Sequence, residues 1–462
     1  MAIIGKNLEV GSGVSAIPSA YKLDSINITN YKGDTVDIKN LAVRMEITES
    51  LYVQSLKLKL TLKDSTNFIE EFPVTGQERV EVQIRSTVKR GKSGKKTEKF
   101  IKKLKLNFFI TEYPTFGSVP GKYHTDVISL IGISEQSYIS NQKKISRSYV
   151  NNTAKEIEKI LKEDLNLPAK KFKTSDDAIS SSRGIIPNQR PMDVIEWFRK
   201  QTYSENNYSP FFFFQTLNGK YKLFSLASLI DDDNPVFDTY HNTKNFNTEA
   251  NTPEDYRQRE TRILSISSDL KLNKSIQARA GAYASRNNYL DYSNKTYTNY
   301  EYNYVKDFSD KPSLESESVL SNKFKVADDN FIDFTQAHCE YISVNSNSFE
   351  GNNNYNEMSK VSRHFLNAYN ALHDTFTHDI RLNGNFKLNA GRKIELVFPK
   401  TIDPNAYRDV VKDPDDINKN RFLSGKYLIT SAIHEFENDE YHVNIRVKRD
   451  SFSIKLLNED SP

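Results

Sequence analysis

The chain has 462 residues, room for roughly two to four domains, and at 37% hydrophobic and 11% aromatic content it can bury a core, which excludes global disorder. Its one cysteine, Cys339, excludes an intrachain disulfide, and no apolar run approaches the ~20 residues that a membrane-spanning helix needs. The net charge of +4 is segregated: residues 89–105 hold nine Lys or Arg and one Glu, which leaves 55 bases against 59 acids, a net of −4, elsewhere.

In chain order, residues 1–22 read as an N-terminal arm without an apolar signal core, so a soluble protein made in a cytoplasm is expected. Period-two alternation then begins. Ile26 and Ile28, then Val43, Met45 and Ile47, alternate with polar neighbours. In SLKLKLTLKD, Leu56, Leu58, Leu60 and Leu62 alternate with Lys57, Lys59, Thr61 and Lys63, which places the leucines on a core face. Val80, Val82 and Ile84 repeat the pattern, and GKSGKK reads as a long hairpin loop leading to KFIKKLKLNFFI. Residues 23–135 are therefore predicted to form a first antiparallel β domain.

Residues 136–235 are predicted to be an α+β insertion. Ile157, Ile160, Leu161 and Leu165 recur at helical intervals, with Thr153 and Glu156 as an expected capping box. A second helix starts at Pro191, where a missing N–H is tolerated, and buries Ile195, Trp197 and Phe198. Asn218-Gly219 signals a hairpin after Phe211–Phe214. Residues 236–355 have no clear period, and the Tyr/Asn-rich stretch 286–305 fits either a loop or a tyrosine-lined contact surface. A helix is expected over 356–374, with Met358, Val361, Phe365, Tyr369 and Leu372 on one face, opening a second β domain over 356–455; residues 456–462 form a tail. In that domain Asn383-Gly384 reads as a hairpin turn.

Two stretches resemble each other. Phe109-Ile110-Thr111 is followed by Tyr123-His124, and Leu428-Ile429-Thr430 by Tyr441-His442, with Thr-to-Tyr steps of 12 and 11 residues. Upstream, the strand led by Gly76 matches the strand led by Gly391 with a one-residue offset. Two motifs in the same order favour a duplicated β unit.

Residues with catalytic chemistry are not clustered. His373 and His378 are five apart, a spacing that does not align two imidazoles on a helix face for a metal. His338 and Cys339 are adjacent and point apart, which excludes a dyad, and no nucleophile elbow or Walker loop occurs. No catalytic residue, cofactor or metal ligand is expected. The partner-contact candidates are Lys92, Lys95 and Lys96 on the basic projection and Tyr297, Tyr300 and Tyr302 in the aromatic stretch. Only Phe100 interleaves the lysines, so single-strand stacking is disfavoured against an acidic protein partner or a solvated edge guard.

LTLKDSTNFIEEFPVTGQERVEVQIR (60–85) and SGKYLITSAIHEFENDEYHVNIRVKRDSF (424–452), with PMDVIEWFRKQT between them, resemble the baseplate central hub proteins of contractile-tailed phages of the T-even type, and the related hub part of type VI secretion spike proteins. The resemblance implies a mainly β fold with an α+β insertion, in which two similar antiparallel β-barrel domains share one chain. It implies a non-enzymatic homotrimer in the virion baseplate, assembled in the host cytoplasm, whose pseudo-sixfold ring joins a sixfold tail tube to a threefold central spike. The tube and spike proteins are the implied partners, with tape-measure and other baseplate proteins beyond them, no membrane, and DNA passage without specific nucleic-acid binding. A glycan-binding tail protein and a cell-wall hydrolase are the competing readings.

Overall fold

The computed structural model describes residues 21–86, 103–118, 126–150, 152–175, 178–179, 183–204, 209–231, 234–242, 260–269, 274–292, 294–307, 313–319, 325–326, 329–330, 338–344, 376–399, 419–420, 422–438 and 440–453. The basic loop, the expected helix over 356–374 and the Tyr123-His124 pair lie outside them. The fold is mainly β with antiparallel sheets, as the sequence indicates.

The first unit contains β1 (Tyr21–Thr29), β2 (Thr35–Asp37), β3 (Ala42–Ser50), β4 (Val53–Asp64), β5 (Arg79–Ser86), β6 (Lys103–Ser118) and β7 (Asp126–Ser134). Leu56, Leu58, Leu60 and Leu62 of β4 are buried while Lys57 and Lys59 are exposed, because period two sends alternate side chains to opposite faces. The expected hairpin between β5 and β6 is present, with Val82 opposite Leu106. The strands lie in the order β3-β4-β7-β6-β5-β1-β2. The sheet curls back on itself where Ile38, just before β3, donates its N–H to the Ile26 carbonyl of β1 at 2.8 Å.

The insertion packs helices Thr153–Lys159 and Pro191–Gln201 around Ile157, Ile160, Leu161, Leu165, Ile195 and Phe198. The cap of the first helix differs from expectation. Asn152 is the N-cap and accepts from the Ala154 N–H at 2.8 Å, while the Thr153 hydroxyl is buried against that of Thr202 at 2.6 Å. Asn218-Gly219 does turn the chain between β8 (Phe211–Gln215) and β9 (Tyr221–Ser225), with Gly219 at φ 71°. All four phenylalanines of β8 are buried within the chain.

The Tyr/Asn-rich stretch is a hairpin of β12 (Ala284–Asp291) and β13 (Thr296–Asn303), extended by β14 (Cys339–Val344) along β12. It escaped periodicity because tyrosine and asparagine occupy both faces, so no apolar contrast marks the alternation.

The second unit contains β10 (Thr239–His241), β11 (Ile263–Asp269), β15 (Phe376–Asn383), β16 (Lys393–Val397), β17 (Gly425–Glu437) and β18 (Glu440–Arg449). Its order is β11-β15-β18-β17-β16-β10, closed by a bridge from His241 to Arg262 just before β11. Asn383-Gly384 is not a hairpin turn, because β15 pairs with β11 and β18 rather than with β16. Glycine is required at 384 for close approach: a Cβ there would overlap the ring of Tyr441.

The two units are copies of one topology. Strands β3, β4, β5, β6 and β7 correspond in chain order to β11, β15, β16, β17 and β18, with the same antiparallel neighbours. Their irregularities also coincide. Val43 is the extra residue of a bulge in β3 and Leu264 of one in β11; Thr111 is extra in β6 and Thr430 in β17. At both Ile-Thr bulges the threonine hydroxyl donates across the strand pair, Thr111 to the Ile131 carbonyl at 3.4 Å and Thr430 to that of Arg446 at 3.1 Å. The preceding isoleucine N–H donates to the residue before the Gly-led strand, Ile110 to Glu78 at 3.0 Å and Ile429 to Arg392 at 2.9 Å. A bulge leaves one residue unpaired in the ladder, so a side chain able to bond across it is favoured there. That accounts for the repeated threonine.

Candidate assembly interface

The units meet edge to edge. The C-terminal half of β17 lies antiparallel to β3, from Ser431 opposite Ser50 to Glu437 opposite Arg44, and fuses both units into one 13-stranded sheet. On one face of this seam, Glu435 is nearly buried and is met by Arg44 of β3 at 2.7 Å, Arg381 of β15 at 3.4 Å and the Asn444 amide at 3.0 Å. A buried carboxylate needs such compensation for its lost hydration. On the other face Glu49 is buried and accepts from the backbone N–H groups of Leu217 in the insertion and Ala390 in the second unit, at 2.5 and 2.8 Å. His434 lies beside it, Nε2 at 3.6 Å from Glu49 and Nδ1 at 2.8 Å from the Tyr441 hydroxyl. One carboxylate thus ties together three parts of the chain that are remote in sequence. Tyr441 stacks on Phe436, centroids 4.4 Å apart, and Tyr21 of β1 packs its edge against Phe436.

The Leu-Lys alternation could not mark Glu49. A lone glutamate among strand residues reads as solvent-facing, and its partners lie far away in sequence.

Among the described residues, two strand edges lack the partner that their counterparts have in the other unit. β17 has three partners: β16 along Gly425–Leu428, then β3 along Ser431–Glu437 on the same edge, and β18 on the other. Its counterpart β6 has β5 as far as Phe109 and β7 on the other edge, with no third partner for the segment after Thr111. β3 has partners on both edges, whereas its counterpart β11 has only β15. Residues 264–269 of β11 are largely exposed and include neither Lys nor Pro, the residues that usually guard an edge.

Of the tyrosine candidates, Tyr297 is 56% exposed, its hydroxyl donating to Asn288 Oδ1 at 2.6 Å. Tyr341 shares that face of the β12–β13–β14 sheet, since it opposes Asn288 while Tyr297 opposes the next same-face residue, Leu290. Tyr300 and Tyr302 point to the opposite face. Tyr302 is buried within this chain and Tyr300 packs edge-on against Tyr289. Lys92, Lys95 and Lys96 lie outside the described residues. No group of three or more metal-ligating side chains converges among the described residues. His378, considered above for a metal, sits between hydroxyls: Nδ1 is 2.8 Å from Ser268 Oγ and Nε2 3.2 Å from the Tyr427 hydroxyl. Burial, followed by the nearby Arg449, pulls its pKa down to about 4, which keeps the imidazole neutral.

Repeated topology, shared bulges and one closed seam define a duplicated β-barrel chain whose units join edge to edge. Solved structures similar to it are phage tail proteins. The tail protein from Neisseria meningitidis MC58 matches with a TM-score of 0.51 at 10% identity, over 93% of this chain and 97% of that one. The 43 kDa tail protein of prophage MuSo2 from Shewanella oneidensis matches with a TM-score of 0.50 at 11% identity, over 94% of this chain and 100% of that one. At such identity the likeness is one of fold, and the fold expected from the resemblance is the one found. No protein-family model and no curated protein matches the sequence.

Proposed function

We propose that the chain is a structural, non-enzymatic component of a phage tail, a baseplate central hub in which three copies form a ring of six β units. The observation that carries this reading is the internal duplication, down to the shared bulges, joined by an edge-to-edge seam. Six near-equivalent units can meet a sixfold tail tube on one face, while the differences between copies supply a threefold pattern to a central spike on the other. Closed rings of this kind need heterologous contacts. The similarity in fold to two phage tail proteins supports the tail role and a place in the virion.

Light scattering on the purified chain tests the reading, with a mass three times that of one chain expected. Electron microscopy down the particle axis should show six lobes with threefold modulation, and a monodisperse monomer at every concentration sinks the reading. The basic segment carrying Lys92, Lys95 and Lys96 is assigned to an acidic partner surface. Replacing the three by Ser should flatten the salt dependence of association with the neighbouring tube and spike proteins.

A further inference from the structure

We propose that the open edge of β11 in one copy pairs with the open edge of β6 in the next, in a register set by the seam inside the chain. The inference rests on the ring reading and specifies the contact that closes the ring. Because β3 corresponds to β11 and β17 to β6, the seam of β3 with β17 is an internal template for the pairing of β11 with β6. The bulges fix the alignment. Ser265, Ile266, Ser267, Ser268 and Asp269 occupy the places of Arg44, Met45, Glu46, Ile47 and Thr48, each opposite the equivalent residue of the next strand. On β6, Glu112 occupies the place of Ser431. A second irregularity between Glu112 and Thr115 adds one residue, so Thr115, Phe116, Gly117 and Ser118 take the places of Ile433, His434, Glu435 and Phe436.

Within the chain, Ile433 opposes Thr48 and Phe436 opposes Met45. Between copies, Thr115 therefore opposes Asp269, Phe116 opposes Ser268, Gly117 opposes Ser267 and Ser118 opposes Ile266, all antiparallel. Pro114 lies in the added bulge, before this four-pair register, so its missing N–H removes no ladder bond from it. The chemistry of the two seams differs. Inside the chain, Arg44 and Glu435 form an ion pair across the sheet, whereas the corresponding positions between copies are Ser265 and Gly117. The contact between copies is thus built from backbone hydrogen bonds, and it lacks the ion pair that Arg44 and Glu435 make at the corresponding positions inside the chain. It should be less sensitive to salt than an ionic seam.

The test introduces Thr115→Cys and Asp269→Cys together in a full-length Cys339→Ser chain. Paired Cα atoms on adjacent antiparallel strands fall within disulfide range. Mild oxidation should yield covalent dimers and trimers on a non-reducing gel that vanish with reductant, while either single cysteine yields none. Thr115→Cys with Ser267→Cys, two residues out of register, should cross-link several-fold less. In the unmodified protein, hydrogen exchange should show backbone protection of 263–269 and 112–118 in the oligomer. A trimer by light scattering with no cross-link and no protection overturns the edge pairing and leaves the ring reading standing. Cross-links in an oligomer of another size support the pairing and overturn the ring of three. A disulfide confined to one chain, or a chain that stays monomeric, overturns the pairing.

Discussion

Glu49 shows how one buried carboxylate can hold remote segments together. Its oxygens take two backbone N–H groups, from Leu217 and Ala390, that would otherwise be buried without an acceptor. Each unsatisfied buried donor costs about 1–3 kcal/mol, so Glu49→Ala should lower the unfolding free energy by about 2–6 kcal/mol in a urea titration, and Glu49→Gln by less, since it keeps one acceptor oxygen. His378 supplies a pH dependence. Its folded pKa of about 4 lies below the ordinary histidine value of 6.5, so below that value the unfolded chain takes up a proton that the native imidazole refuses. This contribution is complete above pH 6.5 and is lost as pH falls toward 4, by at most about 3 kcal/mol. Carboxylates titrate in the same range, so the diagnostic quantity is the difference between wild type and His378→Gln, whose stability should fall less steeply between pH 6.5 and 4.

At the scale of strands, the paired bulges make a graded prediction. Thr430 is buried and bonds across the β17–β18 pair at 3.1 Å; Thr111 is exposed and bonds at 3.4 Å. Thr430→Val should cost about 1 kcal/mol, while Thr111→Val should cost less than about 0.5 kcal/mol, because water can replace an exposed donor. Equal losses in thermal melts would count against this difference in burial. The elements that were legible in the sequence share one physical property, a contrast between faces. Leu56 to Leu62 alternate with lysines, and Ile157 to Leu165 mark one side of a helix, so burial writes its period into the residue types. Where both faces carry similar residues the period vanishes. ILSISSD of β11 and the tyrosines of β12 and β13 look irregular for that reason. Gly384 misled because asparagine-glycine suggests a turn, while its small size is needed beneath Tyr441. Thr153 misled because its neighbour Asn152 is an equally good cap. The repeated Ile-Thr was readable, yet its cause, a bulge bridged by a hydroxyl, is visible only once the strands are paired. The seam was beyond local reading, since Ser50 bonds to a carbonyl 380 residues away.

At the scale of the molecule, one seam is made within each chain, and the proposed ring leaves a second to association. Linkage then predicts a melting temperature that rises with protein concentration, because dilution favours separated chains. A melting temperature unchanged over about a hundred-fold dilution would place the stability wholly inside the monomer. The internal seam also sets the kinetic order of closure. In a ring of three, half of the joints form during folding, at an effective concentration set by the connecting chain and indifferent to how dilute the protein is. Six single-unit subunits would have to find one another, and the yield of closed rings would scale as the sixth power of subunit concentration; with units joined in pairs it scales as the third. In the proposed ring, that difference decides whether rings form at all when the protein is scarce.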